Sequence, residues 1–382
     1  MNKFPGIKSV VVWGCLATLP TLLFADSVLP TDPNIRYVGR FDTSDPLAPR
    51  MYWSGTHLIA WFEGTSCQVK LNCAGMTPLL GLRAGTDYFN IIIDDGAPVK
   101  YGLAAGPQTI SAASGLTDGV HKIELFKRTT YQYDNTAFEG FITDAGKGLA
   151  PLPAAPAVKI QFYVDSITDG CAVDASNNNN RDTFWNNYLT YAAVTARNLD
   201  MEYVCTAASG IGVRYVPHAD SNLMMSNYYD RIIPGGSSDP TNQWDFSGDD
   251  TELVVINLLE NDFLELPSPN AAQSDAMIDA YEDLLLKIRA AHPHAEIICA
   301  LGNMAVTDVG SVYPDFIDTA VARMNSGGDS KVYSLFFPYK GSGGHPVASE
   351  QLLMANQLTA YIRTNFSHLF SLPEPVNSDL LY

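Results

Sequence analysis

An all-β sandwich or jelly roll followed by an α/β domain with a parallel sheet is what this 382-residue sequence predicts. Three observations carry that expectation. Short runs rich in β-branched and aromatic residues fill 34–150, separated by Gly, Pro, Asp and Asn clusters. A proline-rich stretch, Gly146 to Pro156, then breaks the pattern and reads as a linker. From 157 to 372, strand-like apolar runs alternate with segments of helical periodicity.

The chain opens on Lys3 and Lys8 and an apolar run from Val10 to Phe24, the form of an export signal covering residues 1–25. The run is too short, and too interrupted by Pro20, to span a bilayer. Cys15 offers a lipoprotein alternative that Trp13 fits poorly. The expectation is a secreted, monomeric protein, extracellular or periplasmic, with no membrane contact once the signal is removed.

In the first domain the strand candidates are RYVGRF, YWSGTHLIAWFEG, CQVKLNC, YFNIIID, HKIELFKRT and AFEGFIT. Asp94-Asp95-Gly96 marks a hairpin turn. Cys67 and Cys73 flank a run of five residues. As strand ends they lie ~20 Å apart, too far to bridge. No C-x-x-C pair is present, and Cys171, Cys205 and Cys299 read as buried small hydrophobes.

In the second domain, strands are expected at Lys159–Val164, Met201–Thr206, Leu253–Leu258, Glu296–Leu301 and Lys331–Phe337. Leu253–Leu258 is apolar at every position but Asn257, the near-continuous run expected of a strand buried on both faces. Helices are expected over Asp182–Leu199, Ala276–Ala290 and Val347–Thr364. Arg214 to Asp245 is long, aromatic and poorly periodic, the signature of a binding loop. The net charge of −18 opposes a nucleic-acid partner, whose phosphates it repels, and suits a neutral substrate.

Ligands of open parallel sheets sit beyond the carboxyl ends of the strands, so the chemistry is sought there. Ser166 follows the first strand, although a Ser before a helix is more often an N-cap than a nucleophile. Gly210 follows the second strand, where a backbone N–H can approach a ligand or simply make a turn. Asn261 follows the third, and its amide can donate to a developing oxyanion or support its own loop. His345 lies on a glycine-rich loop before the last helix and can serve as general base. His57, His121, His218, His292, His294 and His368 have no comparable setting and read as surface or packing residues. Trp185, Tyr228, Tyr229 and Trp244 offer faces for sugar rings, with core packing the stronger reading for Trp185.

Taken together, the second domain resembles the SGNH-hydrolase superfamily, whose first block is typically Gly-Asp-Ser-Ile-Thr. Here it reads Val164-Asp165-Ser166-Ile167-Thr168. The second block resembles Ser209-Gly210-Ile211-Gly212, the third Leu259-Glu260-Asn261-Asp262 in place of Gly-Thr-Asn-Asp, and the last His345-Pro346. With RYVGRFD, WSG, Tyr229–Arg231 (YDR) and Trp244–Ser247 (WDFS) added, residues 35–370 look like carbohydrate esterase family 2. That resemblance implies a flavodoxin-like three-layer αβα sheet behind the sandwich. It implies removal of O-acetyl groups from plant cell-wall polysaccharides or their oligosaccharides, without metal or cofactor.

The roles implied are Ser166 as nucleophile, His345 as base, and an oxyanion hole from the Ser166 and Gly210 N–H groups and the Asn261 amide. Substrate contacts are implied for Trp244, Tyr229, Asp230 and Glu260. Val164, Leu259 and Glu260 depart from the usual blocks, and Ser342 stands where an Asp usually orients the histidine. Some family members lack that Asp, so the reading is a Ser–His dyad. The alternatives are a lipid esterase or thioesterase of the same superfamily, or a carbohydrate-binding protein whose catalysis is impaired.

Overall fold

The computed structural model describes residues 25–75, 85–176, 179–216, 223–235 and 240–370. The export signal, apart from residue 25, His218, two residues of the Asn177–Asn180 run and the last two residues of 157–372 lie outside them.

The first part of the chain is built from β1 (Asp26–Val28), β2 (Ile35–Val38), β3 (Phe41–Asp42), β4 (Arg50–Met51), β5 (His57–Gly64) and β6 (Cys67–Cys73). These are followed by β7 (Asp87–Ile93), β8 (Val99–Leu103), β9 (Gly106–Ala113), β10 (Gly119–Lys127), β11 (Thr136–Thr143) and β12 (Leu149–Ala150). One antiparallel sheet runs β3-β4-β11-β6-β9, with β1 also on β11. The other runs β12-β5-β10-β7-β8, with β2 also on β5. Along β6, Cys67, Val69, Leu71 and Cys73 are buried while their neighbours are not, the period of two that a one-sided sheet demands. Those side chains meet Leu58, Phe62, Phe89 and Leu125 of the facing sheet in one apolar core. Asp94 and Asp95, at φ of 51° and 56°, make the turn between β7 and β8.

Two expectations change here. The supposed linker is partly structured, because Leu149 and Ala150 pair with Phe62 and Trp61. β9 was not anticipated, since its residues alternate between exposed and half-buried and carry little apolar signal.

Inside the sandwich, the Lys127 ammonium and the Asp87 carboxylate form a fully buried ion pair. Asp87 also accepts from Thr129 Oγ1 at 2.6 Å and Thr136 Oγ1 at 2.8 Å. Removing one partner of such a pair strands the other charge away from water. Asp87→Ala is therefore expected to lower unfolding free energy by about 3–5 kcal/mol, measured by chemical denaturation. An unchanged midpoint and slope would contradict this.

The second part contains β13 (Lys159–Val164), α1 (Ser166–Asp169), α2 (Tyr191–Asn198), β14 (Glu202–Ala207), α3 (Met225–Tyr228) and β15 (Leu253–Asn257). It continues with α4 (Glu260–Glu265), α5 (Ala271–Ala291), β16 (Glu296–Leu301), α6 (Tyr313–Ser326), β17 (Val332–Phe336) and α7 (Ala348–Asn365). The strands pair in parallel in the order β14-β13-β15-β16-β17, the flavodoxin-like order. α2 and α7 cover one face and α5 and α6 the other, so β15 and β16 are buried along their whole length. A sandwich followed by a three-layer α/β domain is the fold that the sequence predicts.

The helix expected over Asp182–Leu199 is confined to Tyr191–Asn198. Before it lie two 3-10 turns, Asp182–Phe184 and Asn187–Leu189. Their backbone is claimed by distant partners: Asn186 N–H donates to Gly170 O and Asn187 N–H to Arg128 O. These long-range bonds override the local periodicity.

Candidate active site

The carboxyl ends of β13, β14 and β15 bring three of the four motif residues to one edge. β13 ends at Val164, which is fully buried and pairs with both Ala207 and Asn257. Asp165, not Ser166, is the N-cap of α1, and its carboxylate accepts from Ile167 N–H at 3.0 Å. Ser166 therefore opens the helix with its hydroxyl uncommitted to capping. The helix stops after one turn at Gly170, whose φ is +99°; a Cβ there would lie 2.5 Å from Asn187 N.

His345 reaches this serine from the loop before α7. Its Nε2 lies 2.8 Å from Ser166 Oγ. α7 itself is tied to the nucleophile helix, because Gln351 Nε2 donates to Ile167 O and Gln351 Oε1 accepts from Tyr191 N–H, each at 2.8 Å. Nothing in the sequence singled out Gln351; a polar residue fully buried on a helix face is visible only once α7 is placed. The His345 ring is half-buried and close to the Lys340 ammonium; desolvation first, and that charge second, lower its pKa to about 4. Ser342 is exposed and accepts from Lys340 Nζ at 2.8 Å.

The oxyanion candidates lie on two tethered loops. Gly210 sits in the turn after β14 at φ +82°. Asn261 is in the first turn of α4, and its Nδ2 donates to Ile211 O at 2.8 Å, which leaves the amide a second N–H. Beside it, the Asp262 carboxylate accepts the N–H groups of Val213, Arg214 and Tyr215 at 2.7–2.9 Å, with a longer second contact from Val213. Asn261 and Asp262 together pin the loop that follows Gly210. Asp262 was visible only as the last letter of a motif. Leu259, at the position the motif resemblance assigns to Gly, adopts φ +83° and is fully buried, so core packing holds it in a left-handed conformation that costs a non-glycine residue about 1 kcal/mol or more.

Buried carboxyls crowd this edge. Burial, reinforced by the charges of Glu260, Asp262 and Asp169, pushes Asp165 up to about 8 against the opposing N–H of Ile167. Burial likewise pushes Asp169 and Glu260 up to about 7. Glu260 Oε2 accepts from Val306 N–H at 3.3 Å, while Oε1 has no hydrogen-bond partner among the described residues. Among the described residues no group of three His, Cys, Asp or Glu side chains is arranged to hold a metal ion. All five cysteines among them are free and buried.

The other implied sugar contacts, Trp244, Tyr229 and Asp230, lie in the long loop. The Arg40 guanidinium lies 5.6 Å from the Trp244 ring and 5.6 Å from Phe246, and donates to Arg231 O at 2.9 Å. Tyr229 stacks on Phe246, and the Asp230 carboxylate lies 3.4 Å from Arg231 Nε. Trp185 and Tyr228 are packed inside. His57 and His292 are also buried, the latter with Nε2 2.7 Å from Tyr163 OH.

Comparison with known proteins gives a consistent set of likenesses. The family model described as Carbohydrate esterase 2 N-terminal matches residues 37–153. Cellulase/esterase CelE of Acetivibrio thermocellus is 33% identical over 350 residues, 88% of this chain and 40% of that protein. The chain thus spans about two fifths of that relative's length. An acetylxylan esterase / glucomannan deacetylase of Cellvibrio japonicus is 23% identical over 91% of this chain and 94% of its own. Among solved structures, a family two carbohydrate esterase from Clostridium thermocellum, in complex with cellohexaose, superposes with a TM-score of 0.77 at 31% identity. The match covers 87% of this chain and 99% of that one.

Proposed function

We propose, from the premise that this chain belongs to carbohydrate esterase family 2, that it is a secreted serine esterase removing O-acetyl groups from acetylated xylan and glucomannan or their oligosaccharides. The observation that carries the reading is the 2.8 Å approach of His345 Nε2 to Ser166 Oγ, made between the first strand end and the last loop of the domain. A hydroxyl at that distance from an imidazole is poised to lose its proton on attack. The names of the relatives supply the substrate class: one is an acetylxylan esterase / glucomannan deacetylase.

In the proposed mechanism, neutral His345 takes the Ser166 proton as Oγ attacks the acetyl carbonyl. The tetrahedral oxyanion is held by the Ser166 and Gly210 N–H groups and the free N–H of the Asn261 amide. The imidazolium then protonates the departing sugar alcohol, leaving an acetyl-serine. Water, deprotonated by the same histidine, releases acetate and restores Ser166. Ser166 and His345 act in this reading as a dyad, with Ser342 at the position where an Asp usually orients the imidazole. Glu260, one residue before Asn261, is placed to border the substrate. The protein acts as a monomer and needs no cofactor.

The depressed basicity of His345 gives a testable pH dependence. A group with its pKa lowered to about 4 stays neutral, and competent as a base, down to acidity that protonates ordinary imidazoles. The acid limb of kcat/KM for an aryl acetate is expected with its midpoint near 4; a midpoint near the ordinary imidazole value would contradict the shielded site. The function itself is tested by acetate release from acetylated xylan and acetylated glucomannan, with Ser166→Ala as control. Release by the wild type alone is the expected result. Undiminished release by the variant, or preference for long-chain over acetyl aryl esters, would overturn it.

A further inference from the structure

We infer that Gln132, a residue of the β-sandwich, is a positioning residue for the oxyanion donor Gly210. The inference rests on the esterase reading above and deepens it. Gln132 lies in the connection between β10 and β11, and this connection leaves the sandwich to enter the second domain. Its neighbour Tyr131 sits in the same apolar cluster as Ile211, Val213 and Leu223. Arg128, at the start of the connection, donates through Nε to Trp185 O at 2.9 Å. The Gln132 side chain is buried, and its Nε2 donates to Ser209 O at 3.1 Å.

Ser209 O and Gly210 N belong to one peptide group. The only cis bond among the described residues is Gly302–Asn303, so this peptide is trans and planar. Its C=O and N–H point in opposite directions, and fixing one fixes the other. The hydrogen bond from Gln132 therefore turns the Gly210 N–H away from the sandwich. It also polarises the amide and makes that N–H a stronger donor. Gly210 N–H itself has no hydrogen-bond partner among the described residues, which leaves it open to an incoming oxygen.

The glycine makes such an external hold necessary. At φ +82° there is no Cβ to restrict rotation of the flanking peptides, so the backbone alone does not set the plane. A second sandwich residue reaches the same edge, because Ser54 Oγ donates to Asp169 of the nucleophile helix at 2.6 Å. The loop after β14 is thus held from the sandwich through Gln132.

The experiment compares Gln132→Met, which keeps volume but cannot donate, and Gln132→Glu, which presents a carboxylate to the Ser209 carbonyl. Each is assayed on an aryl acetate, with kcat normalised to sites titrated by an organophosphonate. Gln132→Met is expected to lower kcat roughly 10-fold with KM within about 2-fold, the value of one hydrogen bond. Gln132→Glu is expected to lose more. A merely structural role would move the denaturation midpoint and leave kcat per titrated site unchanged, and that outcome overturns the inference. Should Gln132→Met not fold, the near-isosteric Gln132→Glu carries the same test. Ser166→Ala run in parallel separates the two failures: activity retained there overturns the esterase reading, whereas an inactive Ser166→Ala beside fully active Gln132 variants overturns only the positioning role.

Discussion

Ser166→Ala is expected to hydrolyse aryl acetates more slowly than the wild type by a factor on the order of 10⁵ to 10⁶, with an unchanged denaturation midpoint. The magnitude follows from losing the group that forms the covalent intermediate in the proposed mechanism. The intact fold follows from where the serine sits. Asp165 supplies the cap of α1, and the Gly170 and Cys171 N–H groups bond to the Ser166 backbone oxygen, so none of these contacts uses the side chain. The partner of Ser166 Oγ is His345 Nε2. His345→Ala should therefore cost a similar factor, and the double variant little more than either single one, because the proposed mechanism makes the two residues act as a unit. Additive losses, with the double variant slower than each single one by the full product, would show that the pair does not share a step.

The second large effect is at Asn261. Asn261→Ala is expected to reduce kcat by about 10²- to 10³-fold, the range for losing one oxyanion donor, with KM for a small acetyl ester nearly constant. Part of the loss comes from the loop, because the same amide also donates to Ile211 O one residue past Gly210. Asn261→Asp separates the contributions: it keeps the side-chain shape, cannot donate when ionised, and sets a negative charge against the oxyanion. It should be at least as impaired as Asn261→Ala. Near wild-type kcat in either variant would remove Asn261 from the oxyanion hole.

The sequence made the parallel sheet legible because strands buried on both faces read as near-continuous apolar runs, as Leu253–Ile256 and Ile297–Leu301 do. It made Ser166, Gly210 and Asn261 legible because parallel strands deliver their following residues to one edge. What stayed hidden depends on partners distant in the chain. Gln351 bonds Ile167, Gln132 bonds Ser209, and Asp262 gathers three N–H groups from 213–215; none of these pairings leaves a local pattern. The same cause misled the helix expectation at Asp182–Leu199, where spacing of Phe184 and Tyr188 mimicked an amphipathic turn while Asn186 and Asn187 were bonded elsewhere. Trp244 and Tyr229 were readable as candidate faces for sugar rings, but their engagement with Arg40 and Phe246 was not.

Trp53 and Tyr131 come from the sandwich, yet both lie in the apolar cluster that includes Val254, Ile256 and Leu285 of the α/β domain. Trp53 also donates to Ile232 O across the boundary at 2.8 Å. In the language of gene recombination, residues 25–370 form one cassette rather than two. A crossover placed in the proline-rich stretch would divide a shared interior, and a hybrid of two parents would have to match at Trp53, Tyr131 and the strands beneath them. Exchange between relatives is therefore expected to preserve the pair of domains together, with breakpoints outside them.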